Sequence, residues 1–485
     1  MRHTLYQWIR LILFLILFHL GESFSALAGE EPLEAVALET LVQDAVHSNR
    51  AIQESRLEAE IANGEVQIAQ GAFNPVLGLN TSFERDRGAE NPGDPLSTVE
   101  TKNYGGSLTG ILPFSTRYAL SYSSRGLNYV PTYNTSGLPY WNGWTATLTQ
   151  PLLRGFGSYA SAPLDVAQES AQAASARKER SLEITIAKIE NAYWILMEAE
   201  GVESIMRERV EAAEKLLNRN SELLKRGLSS KLSVTIAEQG LIERRSGLLK
   251  ATNDRLQAGE SLLSFVYGTN YSVHLRKGIP SIKTIPVKPR EVPTASDEKA
   301  IESAMETRKD LFALKASLNA SKIKNSNLKN NLLPDLNLTV SGTKGGAPGY
   351  SANNSNNSSV FAGLSVSFPL GNDSAEGSFH QSTATLDRDE FLMREGSERV
   401  RQEVYSSFRA ISFAQARLKN ALEAETKAKE RYEAEKKLFD LGTIDTFRLL
   451  QVQDSVSAIR LSIVAARSEL ATTSTFYLLS IGRIR

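Results

Sequence analysis

The sequence predicts an α+β membrane protein that joins transmembrane β-strands to very long α-helices and is built from two internal repeats. Three observations predict this class. One block of sequence occurs twice, segments of alternating polar and apolar residues follow both copies, and long Pro-free stretches follow those segments. Alternation at every second residue is typical of strands, whereas long runs without Pro or turn signals are typical of helices.

The repeat is visible as matched residues at one offset. The interval from Ala45 to Pro75 is the same as that from Ala304 to Pro334, and the two copies are offset by 259 positions. Further pairs at this offset are Arg50/Lys309, Ile52/Leu311, Arg56/Lys315, Leu77/Leu336 and Leu79/Leu338. A period this long indicates a duplicated half of the molecule rather than a solenoid unit.

The N-terminus is predicted to be a signal peptide over residues 1–28. Arg2 and Arg10 supply positive charge around the apolar run 11–18, and Ala26-Leu27-Ala28 forms a small-residue cleavage site. No other run approaches the roughly 18 apolar residues of a membrane-spanning helix. A membrane role would therefore use strands.

Strands are predicted over residues 76–151 in the first repeat and 336–369 in the second. Pro75, Pro151, Pro334 and Pro369 mark the edges of these regions. Long polar loops lie on one side of the strands and a tight turn on the other, as in outer-membrane barrels. A soluble antiparallel sheet is the alternative that this pattern leaves open.

Each repeat is predicted to carry three helices. In the first repeat, residues 29–268, these are 36–73, 163–225 and 231–265; in the second, residues 301–485, they are 302–332, 376–440 and 446–480. Gly227 and Gly442 interrupt the helical pattern at matched positions, since Tyr193 and Phe408 precede them by the same interval. Residues 269–300, with four Pro, are predicted to be an extended linker.

Composition argues against catalysis and cofactor binding. The chain has no Cys, which excludes a disulfide framework and thiolate metal sites. His47, His274 and His380 are far apart and not at ligand spacing, and no Gly-rich phosphate loop is present. Because 55 Lys and Arg balance 55 Asp and Glu, nucleic-acid binding is not indicated. We expect neither an enzyme nor a resident metal or cofactor.

With these features the chain resembles the TolC-type outer-membrane efflux proteins. The motifs are the doubled Ala-to-Pro block, Thr149-Gln150-Pro151-Leu152-Leu153 at a strand end, and the segments 224–229 and 439–444 around Gly227 and Gly442. The resemblance implies a homotrimer whose strands pool into one barrel in outer-membrane lipid and whose helices form a periplasmic barrel. It also implies a passive duct, coupled through a periplasmic adaptor protein to an inner-membrane transporter in efflux or type I secretion.

The first repeat has room for extra strands. The interval from Pro75 to Pro151 is longer than that from Pro334 to Pro369 by 41 positions. Related channels usually contribute four strands per chain, so we expect six here and eighteen in a trimer. The alternative is an extra hairpin that lies outside a twelve-strand barrel. If residues 104–112 were not paired with neighbouring strands, a barrel of eighteen strands would be ruled out.

The resemblance also implies roles for residues near the two Gly. Gly227, Leu228, Ser229, Gly442 and Thr443 would form the tips that contact the adaptor, although helix capping alone could explain the Gly residues. Arg448 and Gln451 would line the aperture, where many relatives carry acidic residues. Arg448 would then form a basic ring, unless it pairs with Asp445 or Asp454 and lines nothing.

Two other functions compete with the duct. A secreted trimeric coiled coil without a pore would use the same helices but would not need detergent or conduct ions. A general porin needs only strands, so the long helices argue against it.

Overall fold

The computed structural model describes residues 34–87, 98–130, 140–268, 282–292, 297–346 and 356–484. The predicted signal peptide lies outside these residues. The strands are β1 Glu34–Val36, β2 Val76–Arg87, β3 Thr98–Ile111, β4 Arg117–Val130, β5 Tyr140–Pro151, β6 Ile282–Thr284, β7 Asp335–Gly346 and β8 Asn356–Ser367. The helices are α1 Leu38–Ser48, α2 Arg50–Gly71, α3 Ala162–Lys225, α4 Lys231–Tyr267, α5 Asp297–Thr307, α6 Lys309–Asn330, α7 Asp373–Asp440 and α8 Thr446–Ser480.

The first elements of each repeat begin and end at the offset seen in the sequence. Helices α1 and α5 both have 11 residues, and α2 and α6 both have 22. Their first residues, like those of β2 and β7, are separated by 259 positions. The two halves therefore share backbone geometry as well as sequence pattern.

The predicted single helix over 36–73 is wrong in two respects. Val36 belongs to strand β1, and the helix is interrupted at Asn49, whose ψ of 128° is extended. The Asn49 side chain accepts hydrogen bonds from the backbone N–H groups of Ala51 and Ile52, at 2.9 and 3.3 Å. An Asn that bonds the local backbone in this way ends one helix and caps the next.

The predicted helix over 302–332 is interrupted at the equivalent residue. Arg308 has ψ of 120°, which separates α5 from α6, and it lies 259 positions after Asn49. Its guanidinium is 2% exposed and donates to the Asp310 carboxylate at 3.0 and 2.6 Å. The same break is thus held by an amide in one repeat and by an ion pair in the other.

The predicted extended linker over 269–300 is wrong only in part, since residues 285–292 form neither helix nor strand. Residues 282–284 form β6, which pairs in parallel with β1, and residues 297–300 already belong to α5. The remainder of that segment, 269–281 and 293–296, lies outside the described residues.

Residues 34–53, 181–304 and 403–484 form one structural unit, which is mainly helical. Its core lies around Tyr193, which is fully buried on α3. The Tyr193 hydroxyl donates to the Ile285 carbonyl at 2.6 Å and accepts from the Ile285 N–H at 2.8 Å. This side chain anchors the end of β6, at Ile285, against α3.

Residues 54–180 and 305–402 form the second unit, which holds a six-stranded antiparallel sheet in the order β2-β3-β4-β5-β7-β8. Strand β3 pairs with β2 along one side and β4 along the other, so residues 104–109 are paired on both sides and residues 110–111 are paired with β4. The prediction of six strands per chain is therefore confirmed. None of the described helices is both long and apolar enough to cross a membrane.

Candidate functional site

The turn between α3 and α4 is a helix C-cap built around Gly227. Gly227 has φ of 71°, a left-handed conformation that Gly adopts without steric cost. Leu228 N–H donates to the Leu223 carbonyl at 2.8 Å, and Gly227 N–H donates to the Leu224 carbonyl at 2.9 Å. These two bonds define a Schellman motif, which ends α3 and reverses the chain.

The turn between α7 and α8 repeats this geometry around Gly442, whose φ is 74°. Thr443 N–H donates to the Leu438 carbonyl at 2.9 Å, and Gly442 N–H donates to the Phe439 carbonyl at 3.0 Å. Three residues after each Gly an N-cap starts the returning helix. The Ser230 side chain accepts from Ser233 N–H at 3.1 Å, and Asp445 accepts from Arg448 N–H at 2.8 Å.

A buried amide links the two returning helices. Asn220 on α3 is 1% exposed, and its side-chain N–H groups donate to the Ser233 carbonyl at 3.3 Å and the Thr446 hydroxyl at 3.1 Å. Because Ser233 lies on α4 and Thr446 on α8, one side chain fixes the start of both helices. The two turns are thereby held side by side.

The predicted tip residues differ in exposure. Leu228 is 73% exposed, and Gly227, Gly442 and Thr443 are exposed as well, whereas Ser229 is half-buried. We name the segments 226–229 and 441–444 the helix tips. Within the helix tips the exposed large apolar side chains are those of Leu228 and Leu441, and Leu441 is 79% exposed.

Sequence reasoning missed two further apolar residues beside the helix tips. Leu232 on α4 and Phe447 on α8 are 68% and 61% exposed and lie at equivalent positions of the two repeats. Their position in the sequence could have revealed them. Each lies five residues after the Gly of its turn, and the two turns lie at equivalent positions of the two repeats.

Arg448 pairs with Glu435, a residue that the sequence analysis did not consider as its partner. Its guanidinium donates to the Glu435 carboxylate at 2.8 and 3.1 Å and to the Gln451 side-chain oxygen at 3.3 Å. Glu435 lies on α7 and also accepts from Arg431 at 2.9 Å. The Arg448 guanidinium, and after it Arg431, hold the pKa of Glu435 below its ordinary value. Arg448 therefore has a counter-charge within its own chain, which it shares with Arg431.

Asp445 and Asp454, the two possible partners of Arg448 in the sequence, accept hydrogen bonds from other groups. Asp445 caps α8 through the backbone of Arg448. Asp454 accepts from Arg209 on α3 at 2.6 Å and from Arg244 on α4 at 2.8 Å. Since Asp454 lies on α8, this carboxylate joins three helices, and pairing of Arg448 with Asp445 or Asp454 is wrong.

The four predicted edge prolines lie at one end of the sheet. Pro75 and Pro334 immediately precede β2 and β7, Pro151 is the last residue of β5, and Pro369 follows β8. These are positions where a missing N–H does not interrupt a strand ladder. Next to them, Arg154 donates to the Asp335 carboxylate at 2.8 Å and joins the residues after β5 to the start of β7.

The two faces of the sheet differ in chemistry. One face carries large apolar side chains that are exposed in the chain, among them Leu79 at 81%, Leu364 at 69% and Val360 at 83%. On the same face Tyr122 and Trp144 are directly paired across β4 and β5, with ring centroids 5.0 Å apart. The opposite face carries mainly Ser, Thr, Asn and Gly. An apolar face suits lipid and a polar face suits an aqueous lumen.

A strand region with a lipid-compatible face, joined to long helices that reverse at capped tips, defines an outer-membrane channel with a helical extension. The profile of the outer membrane efflux protein family matches residues 41–266 and 300–476, and the chain belongs to this family. It is an outer-membrane efflux channel of the TolC type with its helical portion in the periplasm, and a transport protein rather than an enzyme. Channels of this type are trimeric.

Solved structures agree on the fold. CusC matches with a TM-score of 0.67 at 12% identity over 92% of both chains. VceC from Vibrio cholerae matches with 0.64 at 15% identity over 92% of this chain and 96% of that one. The open state of MtrE from Neisseria gonorrhoeae matches with 0.64 at 13% identity over 92% and 88%. No curated protein matches the chain in sequence.

Among the described residues, no group of His, Asp and Glu is arranged to hold a metal ion.

Proposed function

We propose that this chain works as a homotrimer and forms the passive outer-membrane duct of a tripartite efflux or type I secretion system. Energy comes from an inner-membrane transporter, and a periplasmic adaptor protein joins the transporter to the helix tips. The observation that carries this proposal is the pair of equivalent turns at Gly227 and Gly442, which present exposed apolar side chains on a rigid, doubly capped frame.

The open edges of the sheet support the proposed trimer, as does the family. Strands β2 and β8 are the outermost of the six, and each is paired on one side only within the described chain. An open edge is not tolerated in lipid, so the sheet needs further strands. Three chains of six strands give a closed barrel of eighteen, and the apolar face contacts outer-membrane lipid.

Arg448 and Gln451 are proposed to lie at the aperture, with Arg448 paired rather than free. The Arg448 guanidinium lies 2.8 Å from the Glu435 carboxylate, which also pairs with Arg431 at 2.9 Å. One carboxylate shared by two guanidinium groups offsets only part of their positive charge, and rings of one charge bias ion passage. The aperture is therefore expected to carry a reduced positive charge rather than that of a free basic ring.

The adaptor contact is tested by placing a charge on the helix tip. Leu228→Asp is expected to abolish export and chemical cross-linking to the adaptor, because a carboxylate cannot enter an apolar contact without a partner. Trimer mass and outer-membrane insertion should remain, since Leu228 is 73% exposed and supports no core.

The matched control is Leu249→Asp on α4, where the Leu is 74% exposed but lies away from the tip. Export should persist in this variant. Equal loss of export in both variants, or loss of the trimer in Leu228→Asp, would refute the tip contact. A purified protein that neither forms trimers nor conducts ions would refute the duct itself.

A further inference from the structure

One row of the polar sheet face consists almost entirely of hydroxyl side chains. We name Ser107, Ser121, Thr145, Thr343 and Ser359 the hydroxyl row. Each is the direct cross-strand neighbour of the next, from β3 to β8, and the sixth strand contributes Gly78. Strands are tilted and staggered in a closed barrel, so the three copies of this row would line the wall as three oblique segments related by the threefold axis.

Members of the hydroxyl row form hydrogen bonds within the row without using all of their donor and acceptor positions. The Ser121 hydroxyl donates to the Thr145 carbonyl at 3.4 Å, and the Thr145 and Thr343 hydroxyls lie 3.2 Å apart. A hydroxyl has one donor and two acceptor positions, so capacity remains for water or a passing solute. All five side chains are half-buried or exposed, and they are accessible from the polar face.

The rows on either side of the hydroxyl row carry no charge. One runs in register from Val76 to Phe361 and the other from Asn80 to Asn357, and neither contains Asp, Glu, Lys or Arg. Their large apolar side chains are Val76 and Phe361. The central part of the polar face is thus an uncharged band of hydroxyls, amides and glycine backbone.

Charged residues of the polar face lie toward its ends. On β4 they are Arg117 and Arg125, four residues before and four after Ser121. Four residues of strand correspond to about 13 Å. That distance exceeds the Debye length of about 8 Å at physiological ionic strength, so these charges are largely screened at the hydroxyl row.

We propose that the barrel lumen is a neutral, hydroxyl-lined passage that admits hydrogen-bonding solutes of either charge. This inference rests on the proposed trimeric duct, in which the polar face of the sheet lines the lumen. The hydroxyl row replaces water around a polar solute without attracting or repelling its charge. The barrel then selects by size and hydrogen bonding, and cations and anions pass alike.

The test is the reversal potential of purified trimers in a planar bilayer under a KCl gradient. The wild type and Ser121→Asn should pass K⁺ and Cl⁻ within about twofold of each other, since neither places a charge in the row. Ser121→Asp differs from Ser121→Asn only in charge, and it should become several-fold cation-selective at about 0.1 M salt and lose this preference near 1 M. Thr343→Asp on β7 should behave in the same way and serves if Ser121→Asp does not insert.

Two outcomes would overturn the neutral passage while leaving the duct intact. The first is strong ion selectivity in the wild type that persists after Arg448→Gln, a variant that leaves Glu435 paired with Arg431 alone. The second is conducting trimers in which neither Asp variant changes selectivity, because the row would then not line the lumen. Protein that forms no trimer and no channel would overturn the proposed duct, and the passage with it.

Discussion

Arg308 shows how a single buried side chain defines a break between helices. Its guanidinium is 2% exposed and pairs with the Asp310 carboxylate two residues later. Burial alone would raise the pKa of Asp310, but the hydrogen bond and charge of Arg308 outweigh it and hold that pKa below its ordinary value. The pair therefore stabilises the fold only while Asp310 is ionised.

Asp310→Asn should lower the free energy of unfolding by about 1.5–3 kcal/mol, because it removes charge-assisted hydrogen bonds to a buried guanidinium. Since the folded pKa is depressed, the contribution of Asp310 is present above the unfolded pKa, about 3.9, and is lost as the pH falls through the folded value. Thermal unfolding at pH 7 and at pH 3 measures both effects. The variant should lose less stability on acidification than the wild type does.

The control is Glu430→Gln. Glu430 pairs with Lys427 at 3.0 Å, but both side chains are at least 60% exposed. Exposed pairs contribute about 0–1 kcal/mol, so this variant should unfold near the wild-type temperature at neutral pH. Equal effects of Asp310→Asn and Glu430→Gln would show that burial of Arg308 does not matter.

At the scale of elements, the two tips are the same structure made twice. Ser230 and Asp445 cap α4 and α8 from equivalent positions of the two repeats. Ser230→Ala and Asp445→Ala should each cost about 1 kcal/mol, the usual loss for an N-cap. Amide hydrogen exchange in the first turns of α4 and α8 should accelerate by about fivefold, which reports the same free energy locally.

Ser229→Ala is the matched control for these caps, because Ser229 precedes the cap and is half-buried. Its exchange rates should stay at the wild-type level. If the Ser230 and Asp445 variants exchanged no faster than this control, the Schellman turns alone would hold the tips.

Much of this element order could be predicted from sequence because its signals are local. Alternation identified the strands of the sheet, and the absence of Pro identified α3 and α7. The break between α1 and α2 and the pairing of β1 with β6 could not be predicted from local signals. Asn49 ends α1 partly through its bond to the Phe265 carbonyl at 2.6 Å, on a helix far away in sequence. Strand β1 exists because β6 pairs with it, and the two are 248 positions apart.

The candidate site residues also fall into two groups: those that local sequence signals identify and those that depend on contacts with residues elsewhere in the chain. Gly227 and Gly442 could be found from spacing because the left-handed conformation strongly favours Gly. The partner of Arg448 could not, since Glu435 lies on the preceding helix and is brought close only by the turn at Gly442. Leu232 and Phe447 look like ordinary helical residues until their exposure is known.

At the scale of the molecule, hairpin β3–β4 should set the size of the pore. Deletion of residues 98–130 leaves β2 and β5 antiparallel, and Val76 and Thr147 already belong to one row, so the two strands can pair directly. The barrel would fall from eighteen strands to twelve. Because diameter scales roughly with strand number, single-channel conductance limited by the barrel should drop to about half.

Deletion of residues 131–139 alone is the control, since it shortens the connection between β4 and β5 and removes none of the described strands. Its conductance should remain near that of the wild type. Unchanged conductance in stable trimers that lack residues 98–130 would show that the hairpin does not contribute to the pore wall, or that the aperture rather than the barrel limits current.

The unsatisfied edges of β2 and β8 have a consequence for biogenesis. A lone sheet offers two rows of free backbone groups, and lipid cannot satisfy them. Entry into the bilayer and association of the subunits are therefore a single thermodynamic event. Single subunits therefore remain in water before assembly. Their open strand edges promote aggregation there, so the subunits would need a chaperone. The yield of inserted channels should then rise more steeply than linearly with the supply of newly exported chains.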